Sequence, residues 1–318
     1  MSRRERPEGL DLPGDDPVTT TVRKFYERYR FPGVRPPDQD GLILMRRLAE
    51  RASRDPAFRE PGRVRILDAG CGTGNTTLSL ARRFPAVEFT GLDMSSPSLD
   101  LARAAAARDG LTNVHFRQAN LMRPLGEAPH FDAVLCLGVL HHTADPRTVL
   151  ANLREVLKQN GELYLWVYGI HGRYRHSLNR RLLRLLLGAG NVAEENLGLA
   201  RELIETPETG EAIRADLLAP TMDRAALERL MRDPAWIADQ FLNPREVLLD
   251  MRKLHRLIEN AGFAFSRWLG VNTDISAHLH SSRLAARFRA MPGPKRLEAL
   301  DLLLKPERYF IVAEKIRI

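Results

Sequence analysis

The stretch from Val64 to Asn75, Val-Arg-Ile-Leu-Asp-Ala-Gly-Cys-Gly-Thr-Gly-Asn, restricts the fold more than any other part of the chain. A short apolar run ends in an acid and then breaks into alternating glycines. The pattern is that of a buried strand feeding a tight turn, followed by a helix over about 75–84. Glycines at 70, 72 and 74 carry no Cβ, so the backbone can turn sharply and lie close to a nucleoside-sized ligand. The helix presents unpaired N–H groups to whatever sits there.

Spacing separates two readings of the turn. The dinucleotide fingerprint Gly-x-Gly-x-x-Gly places a third glycine where this chain has Asn75. Asp68, ahead of the turn, is a poor neighbour for a pyrophosphate and suits a cationic amine. A second strand over 87–92 ends at Asp93, nineteen residues after Gly74, where an acid can accept from both ribose hydroxyls. Met94 offers a soft apolar surface for a flat base. A third strand over 113–117 leads to Asn120, whose amide suits the amino and ring nitrogens of adenine, and to Leu121. A fourth strand over 131–137 runs into Gly138, with Leu140-His141-His142 just beyond. Ligands in open parallel sheets bind outside the carboxyl ends of the strands, so all four segments converge on one crevice.

These motifs are Leu67-Asp68-Ala69-Gly70-Cys71-Gly72-Thr73-Gly74, Gly91-Leu92-Asp93, Phe131-Asp132-Ala133-Val134 with Gly138-Val139-Leu140-His141-His142, and Leu157-Lys158-Gln159-Asn160-Gly161-Glu162-Leu163. As an ordered set over about 62–168 the chain resembles a class I S-adenosylmethionine-dependent methyltransferase. In that family the last motif usually reads Lys-Pro-Gly-Gly; Gln159 and Asn160 depart from it, which alters a turn and not the chemistry. The resemblance implies a Rossmann-like, doubly wound α/β fold with seven strands and an antiparallel edge. It implies S-adenosyl-L-methionine as cofactor. Asp68, Gly70, Gly72 and Asn75 would hold the methionine moiety, Asp93 the ribose, and Met94, Asn120 and Leu121 the adenine. Cys71, as a small packing residue, and Gly138 complete the cofactor set.

The remainder of the chain is organised around that core. Residues 1–18 read as a disordered tail. Residues 19–61 form an N-terminal helical segment, with helices over 19–30 and 41–53 and the aromatic residues Phe25, Tyr26 and Tyr29 at helical spacing. These aromatics either line the pocket or dock the helix on the core. The core comprises 62–169 and 243–318, with helices over 75–84, 96–109, 146–158 and 245–260. Its later strands are expected over 162–168, 263–269 and 309–315, and a helical stretch runs over 277–304. Residues 170–242 form a helical insertion without a convincing strand, a lid expected to hold the substrate determinants.

Methyl transfer from a sulfonium needs in-line positioning of the nucleophile, and in some cases a base. His141 is the candidate base or substrate contact, the alternative being a buried His bonded to backbone; His142 resembles a position that packs near the cofactor. Tyr168, Arg173 and Tyr174 stand at the crevice mouth, suited to an anionic or aromatic substrate. Leu178, Leu182, Leu185 and Leu186 share one helical face, with Arg180, Arg181 and Arg184 largely off it. That helix either packs on its own domain, lies on an anionic membrane or tracks phosphates.

Composition sets bounds on the partners. Met1 to Asp16 has no apolar leader segment, and no run approaches a membrane span. Two cysteines, Cys71 and Cys136, exclude a disulfide framework and fit a reducing cytoplasm. No Cys-x-x-Cys, His-Glu-x-x-His or Gly-Lys-Ser/Thr occurs, so no metal is expected. The net charge of +8 comes from 48 basic residues of which six are Lys, a balance that coding bias gives as readily as an anionic partner. The expected acceptor is a small organic or lipid-like molecule. An RNA or protein acceptor on the Arg-rich lid, and a non-catalytic cofactor-binding domain, remain open alternatives.

Overall fold

The computed structural model describes residues 15–32, 39–126, 130–187, 194–217 and 224–316. The expected tail lies outside the described residues through 14. Its last residues are structured: α1 runs Pro17–Arg28, with Asp16 capping it by accepting from the Thr19 N–H at 2.9 Å. The order continues α2 (Gln39–Arg54), β1 (Arg65–Ala69), α3 (Asn75–Arg83), β2 (Glu88–Asp93), α4 (Ser96–Arg108), β3 (Val114–Gln118), β4 (Phe131–Leu137), α5 (Pro146–Val156) and β5 (Leu157–Tyr168). The insertion supplies α6 (Ile170–Leu187), α7 (Glu194–Glu205), α8 (Thr209–Leu217), α9 (Arg224–Met231) and α10 (Pro234–Ile237), the last running into a π turn over Ala238–Leu242. Then come α11 (Met251–Asn260), β6 (Phe263–Trp268), α12 (Ser282–Arg289), α13 (Gly293–Leu304) and β7 (Arg308–Lys315).

The seven strands form one sheet in the order β3-β2-β1-β4-β5-β7-β6. The first five are parallel, and β7 is antiparallel to both β5 and β6. Strand residues are buried on both faces, as helix-covered parallel strands must be. Leu67, Val134 and Leu165 face α5 and α11, while Ile66, Leu135 and Tyr164 face α2, α3 and α4. On the second face Glu162 ties α2 to the sheet, pairing with Arg47 at 2.8 Å and Arg51 at 3.0 Å. A third cluster lies in the insertion, where Phe25 and Tyr29 of α1 pack with Leu183, Trp236 and Phe241. No helix among the described residues is long and apolar enough to cross a membrane.

Two expectations are corrected, and the orientation of a third segment is set by the structure. First, α5 ends at Val156, and the Lys158-Gln159-Asn160-Gly161 turn is absorbed into β5. Asn160 takes a left-handed φ of 62°, and the pairing with β4 shifts register between Phe131 and Ala133. Second, no helix spans 245–250. That backbone is tied to the crevice instead: the Val247 N–H donates to the His141 carbonyl (2.9 Å) and the Leu249 N–H to Tyr168 (3.1 Å), and the helix waits for Asp250 to cap it. Third, α6 turns its leucines outward. Leu178, Leu182, Leu185 and Leu186 are exposed, and Arg173, His176, Arg180 and Leu183 are buried.

The inward arginines of α6 share one carboxylate from the core. Glu246 pairs with Arg173 at 3.1 Å and with Arg180. Burial alone would raise its carboxyl, but the two guanidiniums overcome this and hold it at about 2. Its contribution to stability is therefore full above the ordinary glutamate range and is lost as pH falls toward 2. Glu246→Gln leaves Arg180 buried without a counter-ion, so urea unfolding at pH 7 should show a loss of about 3–5 kcal/mol. A loss below about 1 kcal/mol would show that the lid does not depend on this anchor.

Candidate active site

The carboxyl ends of β1, β2, β4 and β5 open into one cavity of about 870 Å³. Its floor is the glycine turn after β1, and its far wall is the insertion. Because β7 runs antiparallel to β5, its first residue sits opposite Tyr168, which brings Glu307 and Arg308 to the same rim.

At the floor, Asp68 is buried and accepts from the Thr77 hydroxyl at 2.6 Å. Burial pushes its carboxyl up to about 6; the Thr77 bond opposes the rise, and the Asp93 charge adds to it. Asp93 accepts from the backbone N–H groups of Gly72 and Ser95, each at 2.8 Å. Burial also raises its carboxyl, against those N–H bonds. Each carboxylate oxygen of Asp93 keeps a further lone pair. Gly70, Cys71, Gly72, Met94, Asn120, Leu121 and Gly138 line the same cavity. The Cys71 thiol is pushed well up, mainly by burial and then by the Asp68 and Asp93 charges, so it stays protonated.

Two details differ from expectation. Asn75 is not in the wall; it opens α3, and Thr76 takes the wall position. The Asn120 amide is partly engaged within the protein, donating to Asp15 at 2.7 Å and accepting from the Met122 N–H at 2.9 Å. The residues just before α1 thus lie over the end of the cavity expected to take a base.

Of the two adjacent histidines, one reaches the cavity and the other does not. His142 lines the cavity, whereas His141 lies behind it, buried between the rings of His142 (4.1 Å) and Tyr168 (4.3 Å). Neither ring nitrogen of His141 has a hydrogen-bond partner. Burial, and then the positive groups around it, hold its pKa well below the usual value. The His142 Nδ1 bonds the Arg245 carbonyl, an acceptor only, which fixes the proton on Nδ1 and leaves the Nε2 lone pair free. Burial lowers the His142 pKa, although Asp239 partly opposes this, so the ring is neutral at pH 7.

The three expected rim residues separate. Tyr168 lines the cavity. Arg173 is buried behind it, stacked 3.6 Å from the Tyr168 ring centroid and paired with Glu246 and Glu307, so it is not free to meet an anion. Tyr174 is exposed on the outer face of α6. Tyr26 of α1 reaches the wall, while Phe25 and Tyr29 turn into the third core cluster. Trp166, Trp236, Asp239 and Gln240 complete the far wall. Trp166 precedes Tyr168 by one pleat, so the same face of β5 presents both; the alternation of the strand carried that signal. Nothing local in the sequence marks Trp236 as a wall residue.

The geometry accords with the comparisons. A methyltransferase-domain family matches residues 67–163. An uncharacterized protein of Synechococcus sp., syc1184_c, is 32% identical over 91% of this chain and 69% of its own length. A ubiquinone biosynthesis O-methyltransferase of Pasteurella multocida is 34% identical over 31% of this chain and 44% of its own. A tRNA 5-carboxymethoxyuridine methyltransferase of Escherichia coli is 35% identical over 37% of this chain and 45% of its own. This chain thus spans less than half of either named enzyme. The structure of PKMT2 from Rickettsia typhi in complex with AdoHcy shares the fold, with a TM-score of 0.62 over 95% of this chain and 54% of that one at 16% identity. Sheet order, glycine turn, paired acids and relatives agree: the chain belongs to the class I S-adenosylmethionine-dependent methyltransferases.

Proposed function

We propose that this enzyme methylates a small organic or lipid-like acceptor, enclosed together with the cofactor beneath α1 and the insertion. The cavity at the carboxyl ends of the strands carries this reading. At about 870 Å³ it lies high in the roughly 300–1,000 Å³ range of small-molecule sites, with a cofactor floor and a separate far wall. A concave site of this size suits a small molecule better than a polynucleotide. The outward leucines of α6 favour a lipid-like acceptor among small molecules. The buried, unpaired cysteines fit a cytoplasmic setting.

S-adenosyl-L-methionine, when bound, supplies an electrophilic methyl group on sulfur. The residues present fit it. Asp68 offers a carboxylate to its amino group, Asp93 to the ribose hydroxyls, and Met94, Asn120 and Leu121 an apolar and amide surface to the adenine. Beyond the cofactor, His142 Nε2 is the group able to take a proton from the acceptor as its lone pair attacks the methyl. The role expected of His141 passes to its neighbour, because only His142 reaches the cavity.

Asp93→Ala should weaken S-adenosylmethionine binding at least about 100-fold in calorimetry, since hydrogen bonds to a charged group contribute about 1.5–3 kcal/mol each. Unchanged affinity would remove the ribose assignment. Cofactor affinity should also fall as pH drops through about 6, where Asp68 gains a proton and loses its attraction for an ammonium group. In Asp68→Asn that dependence should disappear. His142→Gln should slow turnover about 10²–10⁴-fold with cofactor affinity retained, while His141→Phe stays within a few-fold of the wild type. The reverse ranking would return the base to His141. Steep loss of acceptor affinity between low and moderate salt would point instead to RNA.

A further inference from the structure

We infer that the far wall of the cavity binds a protonated amine of the acceptor, with Asp239 as its counter-ion. The inference rests on the proposed methylation of a small acceptor in this cavity and narrows its chemical class.

The argument begins with charge. The chain carries a net charge of +8, yet its cavity is lined by six carboxylates and two guanidiniums. Most of these acids have a partner or a task. Asp68 and Asp93 serve the glycine turn. Asp40 and Glu307 flank Arg308 at 2.6 and 3.7 Å. Asp233 caps α10 through the Ala235 N–H at 2.9 Å. Asp239, like Asp68, is buried without a cation among the described residues, and unlike Asp68 it stands on the far wall, away from the glycine turn.

Its surroundings are specific. Asp239 is 3% exposed. One oxygen accepts from the Tyr26 hydroxyl at 2.7 Å and the Asn243 amide at 3.2 Å; the other accepts only from the Gln240 amide, also at 3.2 Å. All three donors are neutral, and among the described residues no Lys, Arg or His pairs with it. A buried carboxylate without a counter-charge is costly, and a cation brought in by a ligand offsets that cost. The second oxygen retains lone-pair capacity for it. Burial and the Asp239 charge push the Tyr26 phenol well up, so Tyr26 remains a donor and cannot itself neutralise the site.

Aromatic rings share the cavity with Asp239. Tyr26, Trp166, Tyr168 and Trp236 all line the cavity, with the Trp166 and Tyr168 rings 4.9 Å apart. Ring faces around a carboxylate attract an organic cation through their quadrupoles. For an anionic acceptor, two guanidiniums near the rim are already engaged: Arg308 by Asp40 and Glu307, and Arg173, behind Tyr168, by Glu246 and Glu307.

The test uses two probes of matched shape, phenethylamine and phenylacetate, titrated calorimetrically into the full chain saturated with S-adenosylhomocysteine. The amine should bind at least about tenfold more tightly than the carboxylate. Asp239→Asn should abolish that preference with S-adenosylhomocysteine affinity retained, and Tyr26→Phe, which leaves the carboxylate in place, should preserve it. Equal binding of the probes, tighter binding of phenylacetate, no binding of the amine, or an undiminished preference in Asp239→Asn overturns the inference. If Asp239→Asn fails to fold, the wild-type comparison and Tyr26→Phe decide alone. Failure of S-adenosylhomocysteine to bind the wild-type chain is a separate result and overturns the underlying methyltransferase reading.

Discussion

Close approach of backbone at the turn after β1 sets the geometry on which the remaining parts depend. A Cβ on Gly70 would stand 2.3 Å from a methyl of Val139, in the loop after β4, and one on Gly72 would stand 2.2 Å from the Phe31 carbonyl. Both positions also take left-handed φ values, 86° and 54°. The missing side chains therefore admit protein as well as ligand. Val139 can close on Gly70, which brings the His141-His142 pair to the same crevice. Phe31-Pro32 can cross Gly72, held there by the Thr73 hydroxyl on the Pro32 carbonyl, which lays the chain after α1 across the floor. One unsubstituted turn thus fixes both the floor of the cavity and part of its cover.

Charge is distributed against the net balance of the chain. The surplus of arginine lies outside the cavity, and the arginines of α6 that point inward are consumed in ion pairs with core carboxylates. Those pairs are buried, so their attraction is little screened by salt, but each ion had to be desolvated. They fix where the insertion sits more than they add to net stability. The cavity is left acidic, which suits a cofactor that carries positive charge.

Much of the parallel core was legible because its signals are local. Leu67 to Gly74 encodes strand, acid and turn within a few residues, and Asp93 follows at a spacing set by one βα unit. The insertion was legible only as helical. Its leucines at 178, 182, 185 and 186 share one face, but helical periodicity reports a face and not its direction. The direction was decided at long range by Glu246, about seventy residues away, which can satisfy Arg173 and Arg180 only if they turn inward. The segment 245–250 failed for a similar reason: its apolar spacing is helical, but the carbonyls of His141 and Tyr168 recruit its N–H groups first. The histidine pair shows a finer limit. Adjacent residues on a tight turn diverge, and which of them meets the cavity depends on backbone angles that residue type does not encode.

The insertion and the N-terminal helix meet over the cavity through a small polar network. Tyr26 of α1 donates to Asp239, Asn243 donates to both, and Gln240 links Asp239 to Tyr168 at the end of β5. Every member is neutral except Asp239, and two of them, Asp239 and Gln240, lie in the π turn after α10. A π turn widens the helix by one residue, and such turns frequently mark functional positions. Here it aims consecutive side chains at one wall instead of distributing them around the helix. The bond from Tyr26 closes that wall from the opposite side of the fold. The cover and the proposed acceptor contact therefore share one carboxylate, and an acceptor that engages Asp239 also bears on the contact that holds α1 in place.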